Sequence, residues 1–150
     1  MLDGRCGSCT ACCFFTEIPE LEKTVNVWCT HCVQNQGCSV YDTRPASCRK
    51  FECYWYSHPE LPEDLRPDRC GVMFEALSLS QTLVACVDFE HRLSWKQGSV
   101  KMLLTQLAQA DRSVLVVVGR EKHVFLPSGR TSEEVLHDVQ QEVDFQRKGK

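Results

Sequence analysis

The chain predicts an α+β fold in which an irregular, cysteine-rich, metal-binding N-terminal segment packs on a small ββαββα antiparallel sheet with both helices on one face. Three observations carry this. Nine of the eleven cysteines fall between Cys6 and Cys53. The same segment is broken by Gly7, Pro19, Gly37 and Pro45 and shows no sustained hydrophobic period, as expected of loops shaped by a bound ion. From Val72 onward the pattern becomes strand, strand, helix, twice over. At 150 residues the chain is one ordinary domain or two small ones, with apolar residues enough for a single sizeable core.

Residues 1–56 form the cysteine-rich segment and residues 57–71, with three prolines, read as a surface connector. The α+β core spans residues 72–146. Residues 72–79 and 82–89 are apolar, partly β-branched runs around Ser80-Gln81, the signature of a hairpin. Gly98-Ser99 offers an N-cap, after which Val100, Leu103, Leu104 and Leu107 recur at i, i+3, i+4 and i+7, giving an amphipathic helix that ends near Asp111. A fully apolar strand at 114–118, a turn at 119–122 and a return strand at 123–126 follow. Thr131-Ser132-Glu133-Glu134 is a capping box, and the helix it starts presents Val135, Leu136, Val139 and Val143. Since each element has one apolar face, two hairpins with both helices on one side are the simplest arrangement.

The cysteines carry the chemistry. Met1 to Arg5 lead into Cys6 with no apolar stretch of signal-peptide length, which predicts a cytoplasmic protein whose thiols stay reduced. Adjacent Cys12 and Cys13 bridge each other only through a strained ring, and an odd total leaves a thiol over in any all-disulfide scheme. Metal ligation is therefore the expectation, with Cys6, Cys9, Cys12, Cys13, Cys29, Cys32, Cys38, Cys48 and Cys53 as ligands. Cys6-x2-Cys9 and Cys29-x2-Cys32 have the two-knuckle spacing of a tetrahedral zinc site, because a two-residue gap aims both sulfurs at one ion. Of the other five, four can make a second site and the fifth can bridge, or all nine share a polynuclear cluster. Cys6-x2-Cys9-x2-Cys12 also matches the start of a ferredoxin run, but Cys13 follows at once and no proline trails it.

Cys6 to Cys13, the block Trp28-Cys29-Thr30-His31-Cys32, Gly37-Cys38-Ser39-Val40-Tyr41, and Arg44-Pro45-Ala46-Ser47-Cys48 continuing to Cys53 occur in an order that resembles the CxxCxxCC family of zinc- or iron-chelating proteins. The resemblance covers roughly the first third of the chain. It implies cysteine-rich metal binding in small, mostly bacterial cytoplasmic proteins, and it implies no particular reaction.

Other residues have plainer readings. Cys86 sits in an apolar strand as a small core residue, Cys70 reads as a buried structural thiol, and His31, inside a knuckle, has nine thiols competing with it. Arg5, Arg44, Arg49 and Lys50 lie within four positions of a cysteine, where they can offset thiolate charge or stay solvated. Arg44 can donate to a thiolate or a carbonyl, and Pro45 stiffens the turn before Cys48. Trp28, Phe51, Tyr54, Trp55 and Tyr56 are expected to pack a dry shell around the ion. No phosphate-cradling loop or nucleotide fingerprint occurs. A net charge of −3 gives no footprint for nucleic acid, and no run of roughly 20 apolar residues suits a membrane. The expected partners are metal ions and a protein of unspecified identity, and the expected role is structural or adaptor with zinc as the ion. The alternatives are an iron–sulfur oxidoreductase, which is the only enzyme reading, and metal trafficking.

Overall fold

In a computed structural model, residues 6–126 and 129–148 are described. The architecture is α+β, with six α-helices and two sheets among the described residues. The chain divides into two compact units, Met1–Met73 and Phe74–Lys150.

Short elements make up the first unit. Helix α1 spans Ala11–Phe15, β1 Cys32–Val33, β2 Gly37–Cys38, α2 Ala46–Lys50, α3 Tyr54–Ser57 and α4 Pro67–Cys70. β1 and β2 form an antiparallel ladder that sets Cys32 opposite Cys38. The stretch read as a surface connector is more structured than its prolines suggest. A 3₁₀ turn at Glu63–Leu65 and helix α4 occupy it, Pro62 and Pro67 stand where a helical turn begins, and Leu65 is buried.

The second sheet has the order β3 (Val72–Leu77), β4 (Thr82–Val87), β5 (Ser113–Val118), β6 (Glu121–Phe125). Its two long helices are α5, Gly98–Gln109, and α6, Ser132–Lys148. β5 and β6 are antiparallel. β4 and β5, however, run parallel from Thr82 beside Ser113 to Val87 beside Val118, so the sheet is mixed and not antiparallel. The cause is the connection. A parallel return needs a crossover of a dozen residues or more, and the segment carrying α5 supplies one.

The helices do not share a face either. On α6, Val135 and Val139 bury against Leu77 and Leu115, with Val84, Val117 and Val124 packed around them. Val114, Val116 and Val118 point the other way along β5 and are equally buried. Their β6 partners Phe125 and His123 meet Trp95, in the 3₁₀ turn Ser94–Lys96 that packs with α5. Helix α5 thus covers the face opposite α6, as crossover helices of parallel pairs do.

Smaller differences have local causes. The first two strands stop two residues early, at Leu77 and Val87, leaving Leu79 and Phe89 exposed. The turn after β5 is the two-residue Gly119-Arg120, with Gly119 at φ 58°, so Glu121 and Lys122 join the ladder. The N-cap of α5 is Gln97, one position earlier than the Gly98-Ser99 pair, and Gly98 takes a left-handed φ of 58° that favours glycine. The capping box of α6 forms as the sequence predicts. Thr131 Oγ1 accepts from the Glu134 N–H, and Glu134 accepts from the Thr131 N–H at 2.7 Å. Among the described residues no helix is long and apolar enough to cross a membrane.

Candidate metal centre

Both Cys-x2-Cys segments fold as tight turns. The Cys9 N–H donates to the Cys6 carbonyl at 2.8 Å, and the Cys32 N–H donates to the Cys29 carbonyl at 3.0 Å. Gly7, inside the first turn, has a φ of 52°, a region that favours glycine. Cys12 and Cys13 ride on α1, and the Cys13 carbonyl accepts from the Cys29 N–H at 3.0 Å, which ties the second turn to that helix. Buried Thr10 accepts from the Asn35 N–H and so draws the β1–β2 turn onto the start of α1. Cys48 is carried by α2, whose first turn is held by Glu20: the carboxylate accepts from the Ser47 N–H at 2.9 Å and from its hydroxyl at 2.6 Å. Cys53 caps α3.

These turns and short helices surround one cavity of about 420 Å³, lined by Cys6, Cys9, Cys12, Cys13, Cys29, Cys38, Cys48 and Cys53, with His31 among them. The ninth thiol of the segment, Cys32, is hydrogen-bonded to Cys13 and Thr10. None of the eleven cysteines is in a disulfide. Cys70 stands apart, its thiol directed at the Val72 carbonyl at 3.2 Å, and Cys86 lies on β4 in the second unit.

The electrostatics join cysteines that sequence spacing would separate. Cys12 is in electrostatic reach of Cys9, Cys13, Cys32 and Cys48, while Cys48 also feels Cys29 and Cys38. A hydrogen bond from Cys13 pulls the Cys12 thiol down to about 7, and the same bond, with burial, pushes Cys13 up. Burial pushes Cys9 up to about 11 and raises Cys32 and Cys48.

Soft thiols around a single cavity are a donor set that fits zinc or an iron–sulfur cluster. Among the described residues, though, no three His, Cys, Asp or Glu side chains stand close enough together to hold an ion as they lie. Closing a shell at the roughly 2.3 Å of a zinc–sulfur bond requires the sulfurs to draw inward.

The expected aromatic shell is partial. Phe51 and Tyr56 line the cavity. Trp28 is exposed against Phe14, Tyr54 stacks on His58 at 3.7 Å, and Trp55 is buried with its indole N–H on the Pro62 carbonyl. Arg44 donates to the Tyr41 carbonyl at 3.2 Å, lies 3.8 Å above that ring and lowers the Cys12 thiol by its charge. Pro45 is the N-cap of the helix that carries Cys48. Arg49 and Lys50 line the cavity, and Arg5 lies outside the described residues.

Lys23 escaped the reading of the sequence. It follows Glu17, Glu20 and Glu22 and looks like part of a solvated charged run, yet it is 7% exposed. Its ammonium donates to the carbonyls of Phe14 at 3.1 Å, Thr24 at 3.0 Å and Thr16. Nothing in its neighbours' identities signals this, because the acceptors are backbone groups.

No protein-family model, curated protein or solved structure matches the chain.

Proposed function

We propose that the chain is a metal-binding protein of the cytoplasm, holding about two zinc ions through the thiolates of its first unit, in a structural or adaptor role. Eight cysteines facing one cavity, with the ninth hydrogen-bonded to its wall, are the observation that supports the reading. The resemblance to the CxxCxxCC cysteine-cluster family points the same way. Zinc closed by four thiolates cross-links short loops and leaves no open position for a substrate. The chain's own part is to aim the sulfurs: two tight turns, the Cys13–Cys29 backbone bond and the Glu20 hold on α2 each fix one group of ligands.

Cys6, Cys9, Cys29 and Cys32 as one isolated tetrahedral set is the simplest partition by spacing. A polynuclear arrangement with shared sulfurs is the alternative, and the electrostatic reach of Cys48 to Cys12, Cys29 and Cys38 is compatible with it. Elemental analysis of protein purified without oxygen, for the parent, Cys6→Ser, Cys29→Ser, Cys48→Ser and the Cys6/Cys29 double variant, tests both points. In the shared arrangement each single substitution releases more than one equivalent. If Cys6→Ser and Cys29→Ser lose the same single ion, the double variant loses no more, and Cys48→Ser costs a different one, the sites are separate. Stoichiometric iron with acid-labile sulfide would overturn zinc in favour of an electron-transfer protein, for which the alignment of Cys6, Cys9 and Cys12 on one cavity is the supporting feature.

A further inference from the structure

We infer that Lys23 is the internal counter-cation of the metal–thiolate centre, a positioning residue whose buried charge makes the site bind a metal cluster of net negative charge. The inference rests on the metal-binding reading above.

Three acceptors converge on the Lys23 ammonium, the carbonyls of Phe14, Thr16 and Thr24. A protonated lysine has three N–H donors and a neutral amine has two, so the arrangement suits the charged form. The residue is locked in place by its backbone as well, since Lys23 and Ile18 exchange both backbone hydrogen bonds. It is buried, yet among the described residues no carboxylate pairs with it. A buried charge without a partner is costly, and carbonyl dipoles offset only part of that cost. Burial lowers the pKa of the ammonium, and the charges of Cys29, Cys13, Cys48 and Cys12, all on the wall of the cavity, act the other way and favour its protonated form. Two of the carbonyls that hold it, those of Phe14 and Thr16, belong to the last turn of α1 and its C-cap, so the charge is anchored to the helix that carries Cys12 and Cys13.

Charge arithmetic supplies the partner. About two zinc ions among eight thiolates leave a negative excess of roughly four, confined to a site from which water is partly excluded. A fixed cation beside Cys12, Cys13, Cys29 and Cys48 stabilises that excess only when those sulfurs are thiolates, which is their state as ligands. Lys23 thereby favours the loaded protein over the metal-free one.

The test separates charge from hydrogen bonding. Zinc(II) affinity is measured anaerobically on the full chain, by competition with a chromophoric chelator, for the parent and for Lys23→Arg, Lys23→Gln and Lys23→Met. Arginine keeps the charge, glutamine keeps donors without charge, and methionine keeps neither. The expected result is affinity within about threefold of the parent for Lys23→Arg and a loss of at least about tenfold for both neutral variants. Thermal unfolding of the metal-free proteins is the second readout. The metal-free neutral variants are expected to melt at the temperature of the metal-free parent, because residue 23 lies in the segment that loses its order with the metal, and a lower melting temperature would assign the affinity loss to a folding defect and overturn the inference. Glutamine restoring affinity as well as arginine, or all three variants binding like the parent, would overturn the counter-cation while leaving metal binding intact. A parent that binds no zinc or iron would overturn the metal reading and this inference with it.

Discussion

Cys86 marks where the thiol chemistry stops. It sits on β4 beside Val117, burial pushes its thiol up to about 12 with Glu75 adding to the shift, and it is therefore protonated and inert at neutral pH. Cys86→Ala is expected to leave the metal-to-protein ratio unchanged, and a fall in bound metal on elemental analysis would place Cys86 in the centre after all. At this scale the sequence was most readable where identity alone carries the chemistry. Nine clustered cysteines point to thiol chemistry, and eight of them line one cavity with the ninth beside it, although among the described residues no three ligating side chains stand close enough to hold an ion. Glu142 was readable with more care. It falls seven residues after Val135 and three after Val139, on the stripe that α6 turns inward, and it is buried with its carboxylate accepting from the N–H groups of Leu79 and Ser80. Lys23 was not readable, since what distinguishes it from a surface lysine is the path of the backbone around it.

Helix α6 shows how much one turn of sequence can specify. Its capping box satisfies the first backbone donors reciprocally, and the exposed Glu134 carboxylate is held below its ordinary value of 4.5, chiefly by the Thr131 N–H and then by the Thr131 hydroxyl. A lowered folded-state value gives stability that is full above pH 4.5 and fades as the pH falls through the folded-state value. Thr131→Ala is expected to cost about 1 kcal/mol at neutral pH, measured by denaturant unfolding of the helical signal. Glu134→Gln should flatten the acid limb of stability against pH, and an unchanged limb would assign the acid sensitivity to other carboxylates. The strands were harder to read. Hydrophobic runs locate β3 to β6 within two residues, but the direction of pairing depends on the path of the chain between strands. One local sign existed: residues 114–118 are apolar without alternation, the mark of a strand buried on both faces, and a sheet covered on both faces suits a parallel pair.

At the scale of the whole molecule, the two units draw on different sources of stability. The second has its own apolar cluster around Leu77, Leu115, Val135 and Val139. The elements of the first are at most five residues long up to Ser57, below the length at which helices or hairpins persist unaided. Removing metal with a strong chelator is therefore expected to abolish amide protection across residues 6–53 while most of it survives in β4, β5 and α6. Protection lost evenly over both units, read by hydrogen exchange, would refute that division of labour. The topology of the sheet also has a temporal side. The β5–β6 hairpin closes across two residues and needs nothing else, whereas the pairing of Thr82 with Ser113 waits until everything between Val87 and Ser113, α5 included, has been brought round. Closing that loop is entropically slow compared with a hairpin, so β4 joins β5 late. On the ribosome β4 emerges well before its neighbour. Until β5 follows, Leu83, Ala85 and Val87 belong to a strand with an unfilled edge, which leaves the nascent chain open to aggregation in that interval.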